Sequence, residues 1–271
     1  MKAQLEIVCK TDTGQVRDHN EDFIDGDQDL GLVVLADGMG GYQAGEVASE
    51  MAVTVIMGEL RKQLAENEKP LYETDRRTGF RRASMLLNRA VNKANRMIYK
   101  SAQDDADRHG MGTTVVAALF YQKYLSIAHV GDSRMYRFRN PEFSQITKDH
   151  SVLQELIDHG FYTPEQARHS PNKNLVTRAL GVNVDVNVEL TEEQTTSDDL
   201  YLLCSDGLSD LLEDKQIQAV IEKHNGHAEP AATELVQSAN DHGGDDNISV
   251  ILVRPLATLI QKGWLRRLFG G

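Results

Sequence analysis

Four aspartates stand where apolar strand-like runs meet glycine. Asp37 follows LVVLA and precedes Gly38, Asp206 follows LYLLCS and precedes Gly207, and Asp132 follows LSIAHVG. Asp246, in HGGDDNISVILV, opens a strand instead of closing one. Any one of them is an ordinary turn residue. Four such carboxylates gathered at one edge of a sheet core would repel each other unless cations held them together. The segment RDHNEDF, residues 17–23, adds Arg17, Glu21 and Asp22 ahead of a short strand. Carboxylate oxygens suit hard ions such as magnesium or manganese. No H-E-x-x-H or C-x-x-C spacing offers a zinc site, so His19, His129 and His150 read as structural residues or as outer partners of the acids.

Other chemistries fail on spacing. From Gly38, a dinucleotide fingerprint would need glycine where Gln43 stands. Gly40 and Gly45 are spaced as in a phosphate-binding loop, but Glu46 and Val47 replace its Lys and Ser/Thr. DGDQDLG, residues 25–31, imitates a calcium loop, with Leu30 at the glycine position and Ala36 at the bidentate glutamate. A cysteine phosphatase needs Arg six residues after its nucleophile. Cys204 has Asp210 at that place and Cys9 has Gln15. The run LYLLC makes Cys204 a small apolar core residue.

The elements that must carry these residues are legible in the apolar spacing. Val47, Met51 and Val55, with Ala48, Ala52, Ile56, Leu60 and Leu64, predict a helix over 45–65. Phe80, Ala83, Leu87, Ala90, Val91, Ala94 and Ile98 predict another over 79–102. QLEIVC, LGLVVLA, GTTVVAALFY, YLSIAHV, RMYRFR, DLYLLCS and NISVILV predict strands. Only GDS separates LSIAHV from RMYRF, which predicts a tight antiparallel hairpin and argues against a doubly wound parallel sheet. Strands in succession between helical pairs point to antiparallel sheets covered by helices. Residues 151–181 break the rhythm as two short helices and a loop, either a substrate-contacting flap or a surface excursion.

A chain of 271 residues, 40% hydrophobic and 26% charged, is a globular protein of one large domain or two small ones. The net charge of −12 excludes a general nucleic-acid binder. No signal-like h-region and no membrane-length apolar run is seen, and the two cysteines make no disulfide framework, so the expected compartment is the cytoplasm.

RDHNED, LADGMGG, GTT, HVGDSR, KDHS, CSDGLSD and DDNISV occur in the order found in the metal-dependent type 2C serine/threonine protein phosphatases, and residues 5–254 resemble that family's bacterial branch. The resemblance implies an α+β fold, an α-β-β-α sandwich of two packed antiparallel sheets flanked by helix pairs. It implies two Mn2+ or Mg2+ ions, with a third, weaker site. Asp37 would bridge the two ions, the Gly38 carbonyl would ligate one, and Asp206 and Asp246 would complete the other. Glu21 and Asp22 would act through bound waters, Asp132 and Asp210 at the third site, with Asn247 of DDNISV in a supporting place. Arg17 would grip the phosphate. A metal-bridging hydroxide would attack phosphorus directly, without a phosphoenzyme. Some members place a histidine after the DG as general acid. Met39 stands there here, so a metal-bound water is expected to protonate the leaving alkoxide.

The implied substrates are phosphoproteins, including a cognate bacterial serine/threonine kinase or its targets, and a monomer is expected. A catalytically silent phosphoprotein-binding relative and a small-molecule phosphatase remain the alternatives. The catalytic domain is expected over 1–255. Residues 256–271 form a basic amphipathic tail carrying Lys262, Arg266 and Arg267. A terminal helix packed on its own domain is the simpler expectation for it, and contact with a membrane surface or a partner is the alternative.

Overall fold

Alternation of side chains along each strand decides which residues face helices and which face the opposite sheet. In the computed structural model, which describes residues 4–40, 44–66, 69–139, 141–163, 166, 170 and 175–256, two antiparallel sheets pack face to face. In one, β1 (Leu5–Asp12), β11 (Ile248–Pro255), β10 (Leu200–Cys204), β7 (Arg134–Arg139) and β8 (Glu142–Gln145) lie in that order. In the other the order is β2 (Asp22–Asp27), β3 (Leu32–Met39), β5 (Val115–Tyr121), β6 (Tyr124–Val130) and β9 (Glu189–Gln194), with the short β4 (Gly112–Thr113) also on β3.

In β3, Leu32, Val34 and Ala36 face outward against α1 (Ala44–Ala65) and α2 (Arg82–Asp104), while Val33 and Leu35 face the other sheet. The alanines at 48, 52, 83, 90 and 94 let these helices lie close to the strands. On the far side, Val8, Leu202, Cys204, Val250 and Leu252 pack against α5 (Asp214–Lys223) and α6 (Ala228–Asp241). The layer between the sheets holds Val33, Leu35, Val116, Tyr201, Leu203, Ile251 and Val253. Burying each large aliphatic side chain contributes about 1.5–3 kcal/mol. The expected α-β-β-α sandwich is therefore present, and among the described residues no helix is long and apolar enough to cross a membrane.

The hairpin expected at GDS is a correction. β6 pairs with β5 and β9, whereas β7 pairs with β10 and β8 in the other sheet. Gly131 takes φ +111, and a Cβ there would stand 2.6 Å from the Thr114 side chain. The chain therefore turns out of one sheet and crosses to the other through Asp132 and Ser133. Turn residues of this type fit a crossover as well as a hairpin. A tight hairpin is instead formed by β5–β6, turned through Gln122 and Lys123, with Gln122 at φ 53.

The helix expected over 79–102 begins at Arg82, after Gly79 at φ +78 and a bridge between Thr74 and Arg81. In the 151–181 insertion, α3 (Val152–Asp158) is capped by the Ser151 side chain, which accepts from the Gln154 N–H. The second helix expected there lies largely outside the described residues, as does all of the tail from residue 257.

Candidate active site

The strand parity that builds the inter-sheet layer also builds the site. Residues 33 and 35 are apolar and face the opposite sheet, and Asp37 is next on that face. Asp22 stands directly opposite Asp37 across the β2–β3 pair. Continuing the same faces, β5 begins beyond Thr114, β6 carries His129, β10 ends just before Ser205 and β11 begins beyond Asn247. The layer is apolar through its middle, and this group of acids gathers at one of its ends.

Asp37 lies inside β3 and does not terminate it, another correction. Pairing runs on in the same register from Leu35↔Val116 to Gly38↔Thr113, and only Thr114 interrupts the partner strand. Around that interruption the Asp37 carbonyl accepts from the Thr114 N–H at 2.9 Å and from the Thr113 hydroxyl at 2.8 Å. The Asp37 N–H donates to Thr114 Oγ1 at 3.1 Å. Thr114 Oγ1 is also bonded to Ser133 Oγ at 2.7 Å. The backbone that aims the Asp37 carboxyl is fully pinned.

Gly38 is bare for a backbone reason. A Cβ there would meet Gly45 O at 2.2 Å and Glu21 O at 2.5 Å, and Gly38 N–H donates to Glu21 O at 3.1 Å. Gly45 leaves the room into which the Glu21 carboxylate tucks, since a Cβ at Gly45 would lie 2.7 Å from Glu21 Oε2. That puts the acid against the N-terminal turn of α1, where the helix dipole favours negative charge. Gly40 takes φ +156 before the chain enters α1; Gly41 lies outside the described residues.

Asp206 opens α4 (Asp206–Ser209), and Gly207 brings that turn against the Asn247 carbonyl, 2.1 Å from where a Cβ would sit. Asn247 spends its whole amide on the segment carrying Arg17 and Glu21. Its Oδ1 accepts from the Glu21 N–H at 2.8 Å, and its Nδ2 donates to the carbonyls of Thr13 at 2.9 Å and His19 at 2.8 Å. Arg17 reaches Asp246 with Nη2 donating to Oδ2 at 2.7 Å, on a half-exposed side chain. Asp210 is exposed just beyond α4, its N–H bonded to Asp206 O at 2.8 Å.

Burial first, and then the charges of Asp206, Asp22, Asp132 and Asp246, push the Asp37 carboxyl far above the usual carboxylate range. Burial is also the leading cause that raises Asp22 to about 8, against hydrogen bonds from Ser249 and Ser205 that favour its charged form. Ser205 Oγ donates to Asp22 Oδ2 at 2.8 Å. Asp132 is raised to about 7 by burial, then by Asp206, Asp149 and Asp210. Acids from both sheets, and from the crossover between them, thus share one field.

Among the described residues no three Asp, Glu, His or Cys side chains close into a cage of their own. The donor set is nevertheless oxygen-only, highly charged and mutually repelling, which fits hard divalent cations that keep several water ligands. The histidines do not join it. Gly131 N–H donates to His150 Nδ1 at 3.1 Å, which leaves the ring proton on Nε2, 3.1 Å from Glu189 Oε2. Buried His129 stacks on His150 with ring centroids 4.7 Å apart. Burial, with His150 beside it, pulls His129 down to about 3. His19 is exposed and offers its carbonyl to Asn247. Cys204 is buried, which pushes its thiol up to about 12 and excludes a thiolate nucleophile.

Sequence reasoning missed Thr114, Ser205 and the Arg134–Asp149 pair, whose Nη2 to Oδ2 distance is 2.7 Å. Thr114 and Ser205 carry a signal in hindsight: each continues the inward parity of an apolar strand with a hydroxyl. Asp149 lies in KDHS without an adjoining strand to mark it.

A sandwich of two antiparallel sheets that brings acids from both to one end, beside a guanidinium, has the chemistry to hold divalent cations and a phosphoryl group together. The model of the family described as protein phosphatase 2C matches residues 11–252, and this chain belongs to that family. It is 37% identical over 257 residues to the serine/threonine phosphatase Stp of Listeria monocytogenes, spanning 94% of this chain and 96% of that protein. The crystal structure of the serine/threonine phosphatase Stp1 from Staphylococcus aureus superposes with a TM-score of 0.83 at 35% identity, covering 95% of this chain and 97% of that one. The catalytic domain of the phosphatase PstP, in complex with 2 manganese ions, gives a TM-score of 0.80 at 34% identity over 93% of this chain and 99% of that one.

Proposed function

We propose that this metal-dependent phosphatase hydrolyses phosphoserine and phosphothreonine in proteins by direct attack of water, acting in the cytoplasm on a serine/threonine kinase or its targets. The observation that carries the reading is the convergence of Asp37, Asp22, Asp132, Asp206 and Asp246 at the polar end of the inter-sheet layer. Asp37, the Gly38 carbonyl, Asp206 and Asp246 would hold two divalent cations, Mn2+ or Mg2+, and Asp132 and Asp210 would attend a third. When bound, the cations supply Lewis acidity that activates water and offsets phosphoryl charge.

The chain's own residues supply placement. Thr113 and Thr114 fix the direction of Asp37, Asn247 holds the Arg17–Glu21 segment, and Ser205 orients Asp22. Arg17 is long enough to leave Asp246 and offer its fork to a phosphoryl group, a bidentate match that Lys lacks. His150 is spent on Gly131 and Glu189 and His129 is buried, so neither supports the role of general acid. Residues 1–255 act as one catalytic unit in this reading, with 151–181 as its flap.

The test is hydrolysis of a phosphothreonine peptide with and without manganese, by the wild type and by Asp37→Asn and Asp206→Asn. Turnover should require the metal and fall at least about a hundredfold in each variant. Full activity in both variants, or turnover in chelator, would sink the reading.

A further inference from the structure

The basic residues of this acidic chain are unevenly placed. Between Arg76 and Gln103 it carries eight Lys or Arg and no Asp or Glu, although the net charge is −12. Arg89, Lys93, Arg96 and Lys100 follow one another at spacings of four, three and four along α2, so they share one exposed face. The opposite face is the buried one, with Leu87, Ala90, Val91, Ala94 and Ile98 on the sheet. Like charges stacked in this way oppose helix formation. So do Arg81 and Arg82 at the helix N-terminus, where an acid is favoured.

Two of the four have acid partners on neighbouring elements. Lys93 pairs with Glu59 of α1, and Arg96 reaches Asp185 at 3.4 Å between two well-exposed side chains. Arg89 and Lys100 have no ion pair among the described residues. Arg89 also borders a groove shared with Arg76, Arg77 and Arg82, where the inner Nη2 of Arg82 has no hydrogen-bond partner among the described residues. Glu66, Glu73 and Asp75 stand on the same groove, and Asp75 is spent on the Arg77 and Thr78 N–H groups.

We propose that the exposed ridge of α2 docks an anionic, acidic or multiply phosphorylated, segment of the protein substrate while another residue of that substrate occupies the metal site. The inference rests on the protein-phosphatase reading above. The ridge is one side chain wide and flanked by acids, which suits a single extended strand of negative charge and disfavours a broad anionic surface. Arg89 to Lys100 spans about 16 Å, about five residues of extended peptide. Its direction also suits the role. Beyond Asp104, α2 continues through the turn Ala106–Arg108 into β4, whose Gly112 and Thr113 pair with Met39 and Gly38.

The experiment compares KM for a phosphothreonine peptide bearing an Asp/Glu-rich extension with KM for the same peptide carrying Asn and Gln there. Wild type should favour the acidic peptide by about tenfold, and salt should erode the preference. The combined variant Arg89→Gln/Arg96→Gln/Lys100→Gln should lose it, and Arg89→Lys/Arg96→Lys/Lys100→Arg should keep it. Equal KM values for both peptides in wild type, or a preference that survives the Gln variant, would overturn the proposal. So would a ridge that retains the protein on anionic vesicles or single-stranded DNA while the peptide preference is absent. Manganese-dependent turnover of p-nitrophenyl phosphate by the wild type is read separately. Its failure would strike the phosphatase reading, whereas its presence with equal KM values would strike the docking ridge alone.

Discussion

The glycine after Asp37 shows how a single residue can be constrained twice. The family resemblance implies that the Gly38 carbonyl would face a cation, which is one reason for a bare residue there. The structure adds a stronger reason, since the backbones of Glu21 and Gly45 both pass where a Cβ would stand. Both neighbours are main chain, so relief requires moving β3 away from α1 and from the backbone just ahead of β2. Gly38→Ala should therefore cost about 1–3 kcal/mol or more, seen as a lower urea midpoint at unchanged slope. Unchanged stability with lost activity would instead assign the glycine to the reaction alone. The existence of the Asp37, Asp206 and Asp246 junctions was legible because each acid follows or precedes an apolar run. The reason for their glycines was not, because close approach of two backbones distant in sequence leaves no local trace.

Among the elements, β3 and its interrupted partner do the positioning. β4 and β5 share one register on β3, and Thr114 falls between them with its hydroxyl substituting for a ladder acceptor. Thr114→Val keeps the shape and strands the Asp37 N–H, so it should cost about 1–3 kcal/mol. It should also lower kcat on a phosphothreonine peptide more than it raises KM, because Asp37 aims less well. Equal unfolding curves for the variant and the wild type would show that another acceptor serves. The strand itself was legible from GTTVVAALFY, and α1 was legible to within one residue. The two sheets were harder to separate. β9, ELTEEQ, is an acidic edge strand that no hydrophobic pattern marks, and GDS looks the same at a hairpin as at a crossover between sheets.

At the scale of the whole molecule, the cost of the site is electrostatic and its sign can be worked out. Without cations, Asp22 and Asp132 hold their protons up to about 8 and about 7, whereas unfolded aspartate releases its own near 3.9. The folded state thus binds more protons than the unfolded one across that interval, so stability falls as pH rises through the two folded values. His129 and His150 are shifted the other way, and they oppose this trend only below about 6.5, where unfolded imidazole takes up protons. From about pH 6.5 to about pH 8.5 the acids lead the trend, joined toward its top by Cys9 and Cys204, whose raised thiols act with the same sign. In chelator, the melting temperature should drop across that window by about 5 °C or more, and Asp22→Asn should flatten the slope. Saturating manganese should reverse it, because cations bind the deprotonated acids and stabilise the folded state by mass action. A melting temperature that is flat in chelator and equally flat in manganese would mean that the acids at the polar end of the sandwich neither share a field nor hold a cation.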